Sequence, residues 1–164
     1  MTSISKKIAP LIIICGLLTL SVVQTVRSHC EIPCGIYDDP MRIEMMSEHI
    51  TTIEKSMNQI IALSAEGEKN YNQIVRWVVN KENHAEYLSE IATQYFMSQR
   101  IKPTEKSDTP AYEKYISELT MLHEIVVYSM KTKQTTDLEN IVKLRSLVHD
   151  FAHSYLGEDA EHDH

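Results

Sequence analysis

Four stretches of the chain place apolar residues three and four positions apart, which is the spacing of one face of an α-helix. In the first stretch this spacing continues over almost five turns, as in a packed heptad seam. The seam consists of Ile43, Met46, Ile50, Ile53, Met57 and Ile60. Asp39 is the expected N-cap, Pro40 suits the first helical position, and Gly67 suits the end of the helix.

Three further stretches carry stripes with similar spacing. The second runs from about 70 to 100, with a stripe made of Ile74, Val78, Ala85, Leu88, Ala92 and Tyr95. The stripe of the third consists of Tyr112, Ile116, Leu119, His123, Val126 and Met130. Residues that can cap a helix, at 135–137, precede the fourth stretch, which ends near Gly157. Its stripe consists of Leu138, Ile141, Leu144, Val148, Phe151 and Tyr155. Each stretch therefore predicts an amphipathic helix.

The predicted fold class is all-α. The whole chain has only four glycines, and no segment shows the alternation that is typical of a strand. Four helices of this length are best arranged as an antiparallel four-helix bundle, here over about 40–157. Apolar seams left on its outside could also support oligomers. This pattern by itself says nothing about catalysis, because many bundles share it.

The first 28 residues differ from the rest and have the layout of a secretory signal peptide. Lys6 and Lys7 precede an apolar run at 11–23, and a small residue, Ser28, ends the segment. The run is shorter than the roughly 20 residues that a membrane-spanning helix needs. We therefore expect cleavage between Ser28 and His29, which leaves 29–164 as one exported domain in a periplasm, an extracellular space or an organellar lumen.

Two alternatives to a cleaved signal peptide remain open. The segment could stay attached as an amino-terminal anchor. Cys15 could instead mark a lipoprotein, although Ile14 stands where a small residue is expected, and lipidation there would leave His29 inside the chain.

Net charge narrows the choice of partners. Cleavage removes three of the 16 basic residues and none of the 23 acidic ones, so the mature chain has a formal charge of −10. Nucleic-acid binding needs a basic surface, so we expect no nucleic-acid partner. We likewise expect no stable membrane association once the leader is removed.

The residues that follow the leader carry the candidate chemistry. A chain that begins at His29 offers an α-amine, an imidazole, the backbone amide of Cys30, and the thiolates of Cys30 and Cys34. Planar nitrogen donors favour Ni(II) or Cu(II). Anionic sulfur and amidate ligands stabilise a higher oxidation state, which suits one-electron chemistry, whereas zinc has no redox step. A simple disulfide between Cys30 and Cys34 is the alternative.

The run from His29 to Asp38 resembles the metal-binding hook of nickel superoxide dismutases, HCxxPCGxYxP. The resemblance continues at Arg42-Ile43-Glu44 and returns weakly at Lys81–Glu86 and Tyr95-Phe96. It implies a homohexamer of four-helix bundles with one nickel ion per subunit. It also implies that the chain disproportionates superoxide to oxygen and hydrogen peroxide by Ni(II)/Ni(III) cycling. The hook would span 29–38, followed by the bundle and an acidic, histidine-containing tail at 158–164.

The resemblance also implies roles for single residues. His29 would bind nickel through its α-amine and its imidazole, Cys30 through its amide nitrogen and sulfur, and Cys34 through its sulfur. Tyr37 would stand at the mouth of the site, and Glu44 would accept a hydrogen bond from the His29 ring.

Three departures from the family pattern stand out. An extra residue, Asp39, precedes Pro40. His84 stands where characterised members have an arginine that supports the metal-binding histidine. The leader resembles a general export signal rather than the short leader of many bacterial members.

The negative charge of the mature chain raises the question of how an anionic substrate reaches the hook. Arg42 lies one turn into the first helix, and we expect it to supply local positive potential that steers superoxide.

A second function remains open at this stage. An exported, non-enzymatic nickel or copper carrier could use the same hook and tail. Tyr37 and Glu44 favour the enzyme, because a carrier needs neither a gate for a substrate nor an oriented ring. A third hypothesis is a purely structural bundle whose tip is closed by a disulfide.

Overall fold

Four long helices make up the part of the chain that the computed structural model describes, residues 38–157. They are α1 (Asp39–Ala65), α2 (Tyr71–Glu90), α3 (Thr109–Gln134) and α4 (Glu139–Leu156). A 3₁₀ turn (Glu68–Asn70) leads into α2, which continues without a break as a π-helix (Ile91–Arg100). No strand occurs between 38 and 157. The prediction of an all-α four-helix bundle is confirmed, and the leader, the hook through Tyr37 and the tail lie outside the described residues.

The helices pack in up-and-down order. Each helix contacts the next along the chain, and α4 packs back against α1. Asn80 on α2 donates to Ser56 on α1, and His84, one turn later on α2, meets His49, which lies earlier on α1. The pairing therefore runs in opposite directions, so α1 and α2 are antiparallel. Within residues 38–157, no helix is long and apolar enough to cross a membrane.

Polar and glycine residues set both ends of α1. Asp38, rather than Asp39, is the N-cap, since its carboxylate accepts a hydrogen bond from the backbone N–H of Met41 at 3.0 Å. The prediction was therefore wrong by one residue, and the Asp39 side chain is available for other contacts. At the other end Gly67 has φ +85°, a conformation that L side chains rarely adopt. Glycine there ends the helix, as predicted.

The hydrophobic core follows the predicted stripe of α1 closely. Every residue of that stripe is buried, and so are most residues of the α4 stripe. At the end where α1 begins, Phe96 packs edge-to-face against Phe151 with ring centroids 4.9 Å apart, and Tyr155 lies beside both rings. These aromatic contacts join the π-helix to α4.

On α3, the stripe that predicts the helix is not the one that faces the core. Ile116 and Met130 are 41% and 51% exposed. The buried side chains lie on the neighbouring stripe, namely Glu118, Leu122, Ile125, Ser129 and Thr132. Because three of these five are polar, a search for apolar spacing selects the wrong stripe while identifying the helix correctly.

Lys81 is a buried cation that caps the end of another helix. Its side chain is only 3% exposed, and Nζ donates to the carbonyl oxygens of Lys133 and Thr135, each at 2.9 Å. The last carbonyls of a helix have no partner within the helix, and a positive charge there is favourable. Burial lowers the pKa of Lys81. Lys81 thereby joins α2 to the connection between α3 and α4.

Replacing Lys81 by methionine should destabilise the bundle while keeping most of the aliphatic packing. The two carbonyls would lose their donor, and a buried acceptor left unsatisfied costs about 1–3 kcal/mol. Urea unfolding followed by circular dichroism would measure the loss. Lys55→Met, at an exposed position of α1, is the matched control and should change stability by less than about 0.5 kcal/mol. Equal effects of the two substitutions would contradict the capping role.

Candidate metal centre

The expected metal ligands precede the described residues. His29, Cys30, Cys34 and Tyr37 all lie before Asp38, so their roles stay predictions. The structure describes the base to which the hook is joined, which is the first turn of α1 and its surroundings. Among residues 38–157, no group of three or more His, Cys, Asp or Glu side chains is placed to hold a metal ion.

Asp39 ties the start of α1 to the rest of the bundle. Its Oδ1 accepts hydrogen bonds from the Tyr95 hydroxyl and from Arg100 Nε, the latter at 2.9 Å. Its Oδ2 accepts a hydrogen bond from the Tyr155 hydroxyl at 2.8 Å. Burial by itself raises the pKa of Asp39, but the hydrogen bonds and the charge of Arg100 outweigh it, so the pKa lies below its ordinary value of 3.8. The carboxylate is therefore ionised at neutral pH.

The π-helical winding of residues 91–100 allows two of these donors to act together. Arg100 follows Tyr95 by five positions, and its Nη2 donates to the Tyr95 hydroxyl at 2.8 Å. In an α-helix, which advances about 100° per residue, side chains five positions apart point in different directions. The π-helix makes its hydrogen bonds between residues five apart, as Ile101 N–H does to the Phe96 carbonyl at 2.9 Å.

Arg42 lies one turn from Asp39, against the same tyrosine. Its side chain is 7% exposed, and its guanidinium lies over the Tyr95 ring, 4.9 Å from the centroid. Arg100 lies over this ring as well, at 4.7 Å. The structure thus places the Arg42 charge beside the base of the hook rather than out in solvent. Its expected effect on superoxide capture stays a prediction.

Glu44 and His84, the other two predicted site residues within the described chain, lie on different helices. Glu44 is exposed on α1, two positions after Arg42. His84 lies on α2, partly buried, and its Nδ1 is 3.0 Å from the Nδ1 of His49 on α1. Tyr87 packs beside both imidazoles, with ring centroids 5.6 Å from His49 and 5.8 Å from His84.

Both histidines of this pair are neutral at neutral pH. Burial is the largest cause that lowers the pKa of His49, and a positive charge on His84 lowers it further, while Glu48 opposes the shift. Burial also lowers the pKa of His84. Neutral imidazole has one donor and one acceptor nitrogen, so the two rings can share a hydrogen bond through their Nδ1 atoms.

Sequence reasoning missed the tertiary contacts of three residues. His49 flanks the α1 seam beside Ile50, and this is the only local sign that it is placed inward. Asp39 was interpreted as a cap, and Arg100 carried no signal at all. Their partners are 35 to 116 positions away along the chain, so local patterns could not reveal these contacts.

The fit to a metal ion rests on the chemistry of the hook's donors. An amine, an imidazole, an amide nitrogen and two thiolates suit nickel or copper in a planar or tetragonal arrangement. None of the described side chains competes with this set. Together with the helical bundle, it indicates an all-α redox metalloprotein.

The chain matches the family model of nickel-containing superoxide dismutase over residues 24–158. This match covers most of the chain and includes the hook, and the chain therefore belongs to this family. Its activity is the disproportionation of superoxide to oxygen and hydrogen peroxide, with a nickel ion in each subunit as cofactor. Nothing in the match favours a non-enzymatic carrier. No curated protein and no solved structure gave a match.

Asp39→Asn should destabilise the bundle at neutral pH but not in acid. The carboxylate has a lowered folded-state pKa, so its stabilisation is present above pH 3.8 and is lost as the pH falls through the folded value. Hydrogen bonds to charged groups contribute about 1.5–3 kcal/mol, and we expect a loss of this order at pH 7. The free energy of unfolding of both proteins would be measured from pH 7 to pH 3.

The matched control is Glu54→Gln, which breaks the ion pair with Arg145 at 2.7 Å between α1 and α4. Both side chains of this pair are more than one-third exposed, and exposed pairs contribute at most about 1 kcal/mol. A difference between wild type and Asp39→Asn that persists undiminished below the folded pKa would rule out the ionised carboxylate as its source.

Proposed function

We propose that the active site of this superoxide dismutase consists of the first residues of the mature chain, with His29, Cys30 and Cys34 as the nickel ligands. Two observations support this. The family match includes these residues, and together they supply the nitrogen and thiolate donors that nickel needs. Bound nickel would supply the one-electron steps by which one superoxide is oxidised and the next reduced.

The protein groups around the metal have separate tasks in this proposal. The thiolates and the amide nitrogen of Cys30 donate electron density, which lowers the metal potential into the range that superoxide can reach. Glu44 accepts a hydrogen bond from the His29 ring and fixes its orientation, as groups behind a metal ligand commonly do. Tyr37 limits access at the mouth of the site. The exposure of Glu44 on α1 is compatible with its contact to a segment that joins the same helix.

Arg42 and its neighbours provide local positive potential in the proposed site. Arg42 and Arg100 both lie over the Tyr95 ring, and Asp39 accepts a hydrogen bond from Arg100. A buried charge is screened less than an exposed one, so Arg42 can attract an anion without touching it. The adjacent start of α1 adds a partial positive charge of its own.

Cleavage between Ser28 and His29 would complete the site, because only a free amino terminus offers an α-amine to the metal. The leader at 1–28 then serves two purposes, export and protection of the hook until processing. With this leader removed, we expect the mature enzyme, residues 29–164, in a periplasm, an extracellular space or an organellar lumen.

Assembly into a homohexamer is supported by apolar side chains on the outside of the bundle. Tyr71, Val75 and Val79 are four positions apart on α2 and therefore share a face, and they are 60%, 60% and 51% exposed. A row of large exposed apolar residues is a feature of surfaces that bind other proteins.

Cys30→Ser and Cys34→Ser should each abolish nickel binding and superoxide disproportionation. A hydroxyl is a far poorer donor than a thiolate, so the metal is neither held nor brought to a usable potential. Nickel content by elemental analysis and superoxide decay by stopped flow would be measured on correctly cleaved protein. Ser56→Ala, at a buried polar position of α1, is a control for general damage and should retain nickel. A serine variant that still disproportionates superoxide with bound nickel would disprove the ligand assignment.

A mature chain extended by the single residue Ser28 should lose the activity. Its first amide would replace the α-amine at the metal, so the thiolates could still bind nickel but without the active geometry. The test compares nickel content, absorption spectrum and superoxide decay between chains that begin at Ser28 and at His29. Equal nickel-dependent activity of the two would show that the amine is not a ligand.

A further inference from the structure

The contact between His49 and His84 joins the two helices on which these residues lie. Their Nδ1 atoms are 3.0 Å apart, and the rings meet edge to face with centroids 5.1 Å apart. His49 belongs to α1 and His84 to α2, and both side chains are partly buried. One turn earlier on α2, Asn80 donates to Ser56 on α1 at 2.9 Å, a hydrogen bond without a titratable group. The histidine pair is thus a titratable contact between α1 and α2.

A contact of this length depends on how many protons the two rings carry. When both rings are neutral, or when one of them is protonated, one Nδ1 can donate its proton to the lone pair of the other. When both rings are protonated, each Nδ1 carries a hydrogen and neither can accept. Two donors and two positive charges then face each other across 3.0 Å, so the contact is lost. The same outcome follows whichever ring is the donor.

The surroundings of the pair do not relieve this repulsion. Burial disfavours the charged forms and lowers the pKa of both histidines, and a charge on His84 lowers the pKa of His49 further. Glu48, adjacent to His49 on α1, opposes the shift, and Tyr87 on α2 contacts both rings. Neither imidazole forms an ion pair with a carboxylate among residues 38–157. The folded bundle therefore excludes the second proton, which an unfolded chain accepts freely.

We propose that the His49–His84 pair is an acid-sensitive switch between α1 and α2, which is closed while the pair carries at most one added proton and opens when both rings are protonated. Histidine changes its charge between pH 5 and pH 8, whereas carboxylates do so near pH 4. The switch therefore acts at a higher pH than the loss of the Asp39 carboxylate. It needs no bound nickel, so it does not depend on the proposed function.

The proton balance gives the direction of the effect. Below the ordinary histidine pKa of 6.5, the unfolded chain binds two protons at these residues, whereas the folded pair binds at most one. The stability that the contact provides is therefore complete above pH 6.5, and it is lost as the pH drops from this value through the lower folded-state pKa. Each proton taken up on unfolding raises the unfolding constant about 10-fold per pH unit.

The test compares the wild-type mature chain with His49→Gln and His84→Gln, each with nickel and after its removal, so that loss of metal in acid is not mistaken for the switch. Each substitution leaves one histidine, which can be protonated without a charged neighbour across the helix contact. Ser56→Ala is the matched control, because it removes the hydrogen bond between the same helices that does not titrate. Urea unfolding from pH 7.5 to pH 5 gives the unfolding constants, and NMR of the histidine rings reports their protonation.

Between pH 6.5 and pH 5, we expect the unfolding constant of the wild type to rise about 10-fold more than that of either glutamine variant, because only the wild type excludes a proton in the folded state. Ser56→Ala should differ from the wild type by the same factor at every pH. In the NMR titration, the wild-type pair should take up its two protons in separate steps, with the second step below pH 6.5.

Two results would overturn the inference. One is an equal pH dependence of unfolding in the wild type and both glutamine variants, and the other is uptake of both protons by the folded wild type in a single step near pH 6.5. If the glutamine variants do not fold, the NMR titration of the wild type still decides. Failure of the proposed nickel site would leave these results unchanged, because the nickel-free chains show the switch by themselves.

Discussion

The carboxylate of Asp39 joins three parts of the chain at the point where the hook meets the bundle. It accepts hydrogen bonds from two residues of the π-helix and one of α4, while it is itself the first residue of α1. A partly buried carboxylate is unfavourable unless donors surround it. The three donors here fix the start of α1 relative to both partners, and so they fix the point from which the hook extends.

Much of the fold could be predicted because the information is local. The α1 seam predicted its buried face. Gly67 and Gly157 predicted the ends of two helices, and both have the positive φ angles that glycine adopts readily. The buried face of α3 was not predictable from apolar spacing, because Glu118, Ser129 and Thr132 are part of it. The π-helix was missed because the usual search compares the sequence only with periods of 3.6 and 2.

The proposed nickel ligands and the polar contacts of the bundle also differ in how far the local sequence reveals them. The proposed ligands lie within six consecutive residues, 29–34, so their chemistry can be interpreted without a fold. The polar contacts within the bundle join residues of separate helices: His49 and His84 are 35 positions apart, and Asp39 and Tyr155 are 116 positions apart. Only tertiary packing brings them together, which explains why neither pairing was predicted from the sequence.

The π-helix makes the length of its segment matter as much as its composition. Deleting one residue between 91 and 94 and rewinding the segment as an α-helix would leave Tyr95 and Arg100 five positions apart, and about 140° from each other around the helix. Only one of the two could then face Asp39. Among related sequences, an insertion or deletion in this stretch is therefore expected to be rarer than a substitution, even though none of its residues is expected to bind nickel.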